Sequence, residues 1–353
     1  MATDSPLTRS VAPRGWRPPA KVLVVGYRAT GRAVAERLAP FGCQLTAIDD
    51  SPPGGSAEAA AALGVRLLAG PPADEIAREA AASDLVVVSP GIPPGHPAIV
   101  GAQPGTVAAE VEIGWLLSAA PIVAVTGTNG KTTVTALVAE MLSASGVDTI
   151  AAGNIGTPLI EAAPEEPGAV VVAEVSSFQL ALTRYFRPAV AVHLNLHPDH
   201  LDWHGSLDAY GEAKARIFAN QTEDDLAVVN GSDDAVLEAA RAGRARVVEF
   251  ALAGDGYHVD GGSLVTPDGS EIVRAAELRR SLPHDLLNTL AAAAAALGAG
   301  ATLEGCRAAA SRFQVLPHRV ELVASADGVD WYDDSKATTP SAVNAALDAF
   351  ASV

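Results

Sequence analysis

The sequence predicts an α/β protein with two successive parallel sheets, the first small and the second larger, followed by the beginning of a third α/β unit. Three observations carry that prediction. Continuous apolar runs of strand length recur along the chain, most of them followed by a stretch with helical spacing, which is the pattern of strands buried on both faces. Glycines stand where those strands would pass into helices. The pattern also stops and restarts, with Pro104, Gly105 and Pro121 closing one series and a third series opening at about Leu316.

Residues 1–20 are Pro-rich and are expected to form a flexible tail. "KVLVVG" (21–26) reads as a buried strand, "TGRAVAERLAPFG" (30–42) as a helix with a glycine stop, and "QLTAIDD" (44–50) as a second strand. A further strand, "DLVVVSPG" (84–91), ends in the loop "SPGIPPGHP". Residues 21–120 are therefore assigned to a Rossmann-like domain with ligand loops at the C-terminal ends of its strands. The second series opens with "AVTGTNGKTTVTALVAEML" (124–142) and continues through "AVVVAEVSS" (169–177), "AVAVHLNL" (189–196) and "LAVVN" (226–230). It closes with "LLNTLAAAAAALGAG" (286–300), whose run of alanines predicts a close-packed helix, and the domain is assigned to 121–315. From residue 316 to 353 the pattern gives a strand pair turning at "ADG" (326–328), a polar loop and one helix, too little for a core of its own.

Composition narrows the functions available. With a formal net charge of −17 the chain lacks the excess of Lys and Arg that a nucleic-acid footprint needs, so no nucleic-acid partner is expected. An anionic ligand would have to be held by a few placed cations and backbone amides. No apolar run approaches the roughly 18 residues of a membrane span, and the tail has no apolar stretch like that of a signal peptide. No membrane partner and a cytoplasmic location are expected. Cys43 and Cys306 stand far apart in apolar surroundings and read as buried free thiols.

The loop within 124–142 carries the clearest chemistry. Backbone N–H groups of Gly127, Thr128, Asn129 and Gly130 can surround a polyphosphate, Lys131 can reach its β- and γ-phosphates, and the Thr132 hydroxyl can bind Mg²⁺. The match to GxxxxGK[ST] is partial, because Val125 stands where the first glycine would. "GYRATG" (26–31), with Asp49 and Asp50 some twenty residues later, raises a dinucleotide site, but Arg28 replaces the glycine that lets a backbone approach a pyrophosphate. A nucleotide-like ligand at the Ala29-Thr30-Gly31 helix start fits better, with a ligand-free turn as the alternative. Glu174 ends an apolar strand, where a lone carboxylate is costly unless it meets a cation, and Mg²⁺ is the candidate. "NLHPDHLDWHGSLDAYGEAKARIF" (195–218) groups His197, Asp199 and His200 ahead of a helix bearing Lys214. The spacing is unlike a zinc site, and on its own Lys214 reads as a solvated helix lysine.

Seven motifs stand in the order of those of the Mur ligases, the ATP-dependent amino-acid ligases of peptidoglycan synthesis. They are "GTNGKTT", "GNIG" (153–156), "EVSSFQL", "HPDHLDWHGSLDAYGEAKARIF", "LPHDLLNTLAAAAAA", "LPHR" and "DDSKAT". From about residue 20 onward the chain resembles that family. Within it, the loops "GYRATG", "IDDSPP" and "SPGIPPGHP" look like those of the member that adds D-glutamate. The resemblance implies a UDP-substrate domain, a P-loop ATPase domain and a C-terminal ligase domain present only as residues 316–353, so ligation by this chain is expected to be impaired.

It further implies a monomer that uses UDP-N-acetylmuramoyl-L-alanine, D-glutamate and ATP and passes through an acyl phosphate, with Mg²⁺ at two sites. Lys131, His200 and Lys214 would be catalytic. Gly127, Thr128, Asn129, Gly130, Lys131, Thr132, Thr133, Asn288, Arg319, Asp334 and Lys336 would bind ATP. Thr132 and Glu174 would hold one Mg²⁺, and His200 with a carbamylated Lys214 the other. Thr30, Asp49, Asp50 and Gly91 would surround UDP, and Asn154 and Ser176 would meet the muramoyl-alanine end. Two departures stand out: Asp50-Ser51 replaces the family member's Thr-Arg continuation, leaving Arg28 as the available basic contact, and most of the D-glutamate site would lie beyond Val353. The alternatives are a non-catalytic nucleotide- and UDP-substrate-binding fragment, another Mur ligase, or a folylpolyglutamate synthase-like ligase, whose lack of a UDP domain the first-domain loops argue against.

Overall fold

The computed structural model describes residues 15–154 and 156–350, so most of the expected tail and Ile155 of the "GNIG" loop lie outside the described residues. Five parallel strands form the first sheet: β1 (Lys21–Val25), β2 (Gln44–Asp49), β3 (Arg66–Ala69), β4 (Leu85–Val88) and β5 (Val107–Ala109), in the order β3-β2-β1-β4-β5. Alternate residues of β1 feed two cores. Val22 and Val24 pack with Val34, Leu38 and Val87 on one face, and Leu23 and Val25 with Ile48, Ile76 and Val86 on the other. Full burial of such side chains stabilises the fold by about 1.5–3 kcal/mol each. The order reverses between β1 and β4, so the loops after these two strands, carrying Gly26 to Arg28 and Ser89 to His96, flank the crevice where open α/β sheets take ligands.

Helix α1 (Ala29–Leu38) begins directly above that crevice, and Gly31 makes its position possible. A Cβ at Gly31 would lie 1.8 Å from the Gly26 carbonyl oxygen. The helix ends four residues earlier than its pattern suggests, because Pro40 sits in a short 3₁₀ turn (Ala39–Phe41) that Gly42 closes at φ +74. Cys43 follows this turn only half-buried, which corrects its reading as a core thiol, whereas Cys306 is buried.

The second sheet has six parallel strands, β6 (Ile122–Thr126), β7 (Thr149–Gly153), β8 (Val170–Glu174), β9 (Val190–His193), β10 (Leu226–Asn230) and β11 (Arg246–Phe250). Their order is β11-β10-β9-β6-β8-β7, so β6 stands centrally between β9 and β8. Helix α6 (Lys131–Ala144) leaves the end of β6 and packs on one face with α12 (Pro283–Gly298). Ala291 to Ala296 are each at most 1 % exposed, so the alanine run forms a tightly packed helix.

Several elements escaped the sequence reading. Helix α13 (Leu303–Arg312) follows α12, and β12 (His258–Asp260), β13 (Ser263–Val265) and β14 (Glu271–Arg274) form an antiparallel sheet in a Gly-rich polar stretch. Strands of three or four residues are too short to display alternation. The third block is the strand pair and helix expected: β15 (Glu321–Ala326), β16 (Val329–Asp333) and α14 (Pro340–Leu347). Leu322, Val323 and Trp331 are exposed there.

Gly31→Ala should cost about 1–3 kcal/mol, because the methyl group forces α1 away from β1. Urea denaturation measures it. An unchanged midpoint would mean that the close approach at Gly26 is not needed for stability.

Candidate nucleotide and substrate site

Strand β6 ends in Thr126, and the turn that follows uses Gly127 at φ +155 and Gly130 at φ +87, conformations that a side chain would strain. Asn195, after β9, braces this loop from the side: its Oδ1 accepts the N–H groups of Thr128 at 3.0 Å and Asn129 at 2.9 Å. Lys131 opens α6, and its Nζ donates to the Gly127 and Thr128 carbonyls at 3.0 and 2.9 Å, curled over the loop. Burial holds its pKa below the usual lysine range, against the pull of Glu174 and Asp199. Thr132 donates its hydroxyl to Glu174 Oε2 at 2.8 Å, and Asn154 Nδ2 donates to Oε1 at 3.1 Å. Glu174 is 2 % exposed at the end of β8, the neighbour of β6, so parallel pairing brings these three residues together.

Lys214 corrects the reading made from its helix alone. It is 1 % exposed, and its Nζ donates to the Gly127 carbonyl at 2.7 Å and lies 4.6 Å from the centre of the Tyr210 ring. Burial first, then the nearby Lys131 charge, drives its pKa well below the ordinary lysine value. His193, at the end of β9, is pushed down to about 3 by burial and then by Lys214, so it adds no positive charge. His200 lies on the other side of this group, at φ +51, with its ring 4.7 Å from Phe178 and 6.3 Å from Tyr210.

A cleft of about 280 Å³ opens beside Gly130 and is lined by Asn129, Thr133, Asn288, Arg319, Asp334 and Lys336, so it gathers residues expected from four separate motifs. A Cβ on Gly130 would lie 2.6 Å from Asn288 Oδ1. The third block is tied to this cleft: Asn129 Nδ2 donates to Ser341 Oγ at 3.0 Å, and Asp334 accepts the Val320 N–H at 3.1 Å. Arg280 grips Asp285 with two nitrogens at 2.7 Å and donates to the Arg319 and Val320 carbonyls, also at 2.7 Å.

In the first sheet Asp49 is spent on its own loop. Its oxygens accept the N–H groups of Tyr27 at 2.7 Å and Ser51 at 2.9 Å, linking the ends of β1 and β2. Thr30 is half-buried at the start of α1, while Arg28, Asp50 and Gly91 are exposed at the crevice mouth. Trp203 Nε1 donates to the Ile92 carbonyl at 3.0 Å, so the loop after β4 touches the segment that carries His200.

Sequence reading missed Asn195 and Tyr210, and used Asp199 only as one acceptor among several. It also missed three buried groups near the "EVSSFQL" loop. Helix α5 (Glu110–Leu117) brings in Glu110 and Glu112, 1 % and 3 % exposed. Glu112 accepts the N–H groups of Arg184, Tyr185 and Phe186 at 2.7–3.2 Å. Gln179 forms a capping box with Ser176 at the start of α8 (Ser177–Ala181). The S-x-x-Q spacing was the one available signal.

The Mur ligase middle domain family matches residues 125–296. The UDP-N-acetylmuramoylalanine--D-glutamate ligase of Geobacillus kaustophilus is 43 % identical over 339 residues, covering 94 % of this chain and 74 % of the relative. That of Myxococcus xanthus is 41 % identical over 348 residues, covering 94 % and 76 %. Among solved structures, a murein peptide ligase from Psychrobacter arcticus superposes with a TM-score of 0.59 at 20 % identity, covering 94 % of this chain and 75 % of the other. A UDP-N-acetylmuramate-alanine ligase from Thermotoga maritima gives 0.57 at 22 %, covering 93 % and 77 %. At those identities the structural likeness concerns the fold.

Burial raises the Glu110 pKa to about 7 against hydrogen bonds that favour its charge. Because the folded value lies above the ordinary 4.5, the group's contribution to stability is full below about pH 4.5 and is lost as pH rises through about 7. Glu110→Gln cannot ionise, so it should gain on wild type by about 3 kcal/mol between about pH 5 and about pH 9. Urea midpoints at both pH values test this; a pH-independent difference would assign the titration elsewhere.

Proposed function

The chain belongs to the Mur ligase family, and on that premise we infer that it is an ATP-dependent amide ligase joining D-glutamate to UDP-N-acetylmuramoyl-L-alanine in peptidoglycan synthesis. One observation carries the reading: Lys131, the Thr132–Glu174 pair and Lys214 converge at the end of β6, in a chain about 40 % identical to relatives of that activity. A carboxylate is a poor electrophile. Phosphoryl transfer from ATP converts it to an acyl phosphate, the amine of D-glutamate attacks, and phosphate leaves as the amide forms. Positioning and charge neutralisation supply most of the rate.

The residues of this chain divide that work. Gly127, Thr128, Asn129, Gly130, Thr132 and Thr133 frame the triphosphate with backbone and side-chain donors, and Lys131 swings from the loop carbonyls to the β- and γ-phosphates. Asn288, Arg319, Asp334 and Lys336 enclose the nucleotide in the adjoining cleft. Thr132 and Glu174 fit Mg²⁺, being hard oxygen ligands, and the buried Glu174 has only neutral hydrogen-bond donors in contact. When bound, Mg²⁺ neutralises charge on the transferring phosphoryl group.

A second ion at His200 and Lys214 requires more, because an amine nitrogen that donates a hydrogen bond is no ligand for a hard cation. Carbamylation of Lys214 would supply an oxygen, and burial, which pushes its pKa well below the ordinary lysine value, favours the uncharged amine that CO₂ requires. Thr30, Asp49, Asp50 and Gly91 serve UDP at the first crevice, with Asn154 and Ser176 at the muramoyl-alanine end. Domain divisions near 120 and 315 follow the two sheets. We take the enzyme to be a cytoplasmic monomer without nucleic-acid or membrane partners; the net charge of −17 supports the lack of a nucleic-acid footprint. Among the described residues no helix is long and apolar enough to cross a membrane.

Lys131→Ala should slow acyl-phosphate formation by about 100-fold or more while leaving the affinity for UDP-N-acetylmuramoyl-L-alanine within about twofold. Phosphate release and product mass, measured with all three substrates, test both. Unchanged turnover by the variant would remove Lys131 from the site, and an amide formed with another amino acid in preference to D-glutamate would overturn the substrate assignment. Separately, ¹³C-bicarbonate should give a carbamate resonance in wild type that Lys214→Ala lacks; equal spectra would leave Lys214 an unmodified amine.

A further inference from the structure

Helix α5 leaves the first sheet and enters the second, and none of its side chains has a part in the chemistry above. Its first residue touches the two short helices that follow the loops assigned to the muramoyl-alanine end. One carboxylate oxygen of Glu110 accepts the Ile160 N–H at 2.6 Å, at the start of α7 (Leu159–Ala162), the helix that follows the Asn154 loop. The other faces Gln179 Nε2 at 3.4 Å. Gln179 in turn fixes Ser176, since its Oε1 accepts both the Ser176 N–H and the Ser176 O–H at 2.9 Å. Gly114, one turn along α5, permits the approach: a Cβ there would lie 2.8 Å from the Ile160 nitrogen.

The polarity of this chain of hydrogen bonds runs one way. An ionised carboxylate only accepts, so it requires the NH₂ end of the Gln179 amide, and the carbonyl end must then face Ser176. That commits the Ser176 proton to Gln179. We propose that Glu110 is a positioning residue for the UDP-substrate: with the Ser176 N–H it locks the Gln179 amide in one orientation, so that Ser176 Oγ, its proton committed and one lone pair taken by the Gln179 N–H at 3.3 Å, offers only an acceptor, fitted to an amide N–H of the muramoyl-alanine end, and through α7 it holds the Asn154 loop in register with it. A Ser176 hydroxyl free to donate would suit a carboxylate instead. The inference rests on the reading of Asn154 and Ser176 as substrate contacts.

The test is an exchange of the two side chains, read by calorimetry at about pH 8. In Glu110→Gln an NH₂ group faces the Gln179 NH₂, and relief by turning Gln179 strips Ser176 of its acceptor. The Kd for UDP-N-acetylmuramoyl-L-alanine should rise about tenfold, while the values for UDP alone and for a non-hydrolysable ATP analogue stay within about twofold. Gln179→Glu sets two carboxylates face to face and should weaken the same ligand. The double variant, Glu110→Gln with Gln179→Glu, restores an acceptor for Ser176 and a donor between the two positions, and should return within about threefold of wild type. Wild-type affinity in Glu110→Gln, or a double variant no better than either single one, would overturn the proposal. Should Glu110→Gln fail to fold, seen as loss of the ATP analogue, Gln179→Glu against the double variant still decides. Wild type binding the full ligand no better than UDP would sink the assignment of the two loops, and the inference with it.

Discussion

Two lysine side chains are buried within reach of one carbonyl oxygen, that of Gly127, and the rest of the site is arranged around their charge. Burying an ammonium costs several kcal/mol unless it is paired, and two in one place also repel each other. Glu174 and Asp199 are the acidic groups that offset them, raising both pKa values against burial, to which the Lys131 charge adds at Lys214 and the Arg319 charge at Lys131. The balance is incomplete in the protein alone: the carbonyls of Gly127 and Thr128 serve as makeshift acceptors. On the proposed reading, a polyphosphate brings the missing negative charge. The site is therefore set up to gain most from an anion that carries several charges and sits between the loop amides and Lys131.

That constraint also explains the topology. The loop after β6 can be approached on both flanks only if β6 has neighbours on each side whose strands end at the same level, and the order β9-β6-β8 provides them. From β8 comes Glu174, from β9 the Asn195 brace, and from α10 (Leu207–Ala215) the Lys214 amine. The second crevice, at β1 and β4, has no comparable charge. Asp49 accepts two backbone amides there and so fixes the ends of β1 and β2 beside the start of α1 and the exposed Arg28. A rigid, apolar sheet beneath each crevice lets both loops be irregular without losing their place.

How much of this was legible in the sequence depended on how local each feature is. The strand, glycine loop and helix of 122–144 are contiguous, so that local structure could be read residue by residue even with Val125 breaking the usual pattern. Lys214 could not be read that way. Its helix has charged and apolar residues on no clear face, and its burial comes from Tyr210 and from a carbonyl 87 positions earlier. Glu110 and Glu112 went unread, because two acids in the first turn of a helix ordinarily serve its dipole in water. Here tertiary packing turns both inward, onto backbone N–H groups of α7 and of the segment 184–186. The antiparallel strands β12 to β14 were hidden by length alone, and Cys43 by a 3₁₀ turn that left its side chain at the margin of the core.

Buried carboxylates that accept backbone amides tend to be read as fold stabilisers, yet the two on α5 divide differently. Glu112 receives three amides of one segment and is saturated, so its role ends with anchoring that segment. Glu110 receives one close amide, at 2.6 Å, and a longer contact from a side-chain amide at 3.4 Å, and burial raises its pKa to about 7 against these hydrogen bonds. A group so weakly satisfied costs stability where it is ionised. Selection for stability alone favours an uncharged residue there, since replacing a poorly compensated buried charge by a neutral group is commonly neutral or stabilising. What a glutamine would lose is direction: its amide has both a donor and an acceptor end and cannot dictate which end of Gln179 faces Ser176. The physical case for a carboxylate at this joint is thus one of hydrogen-bond polarity, transmitted from the junction of the two sheets to the loop at the end of β8.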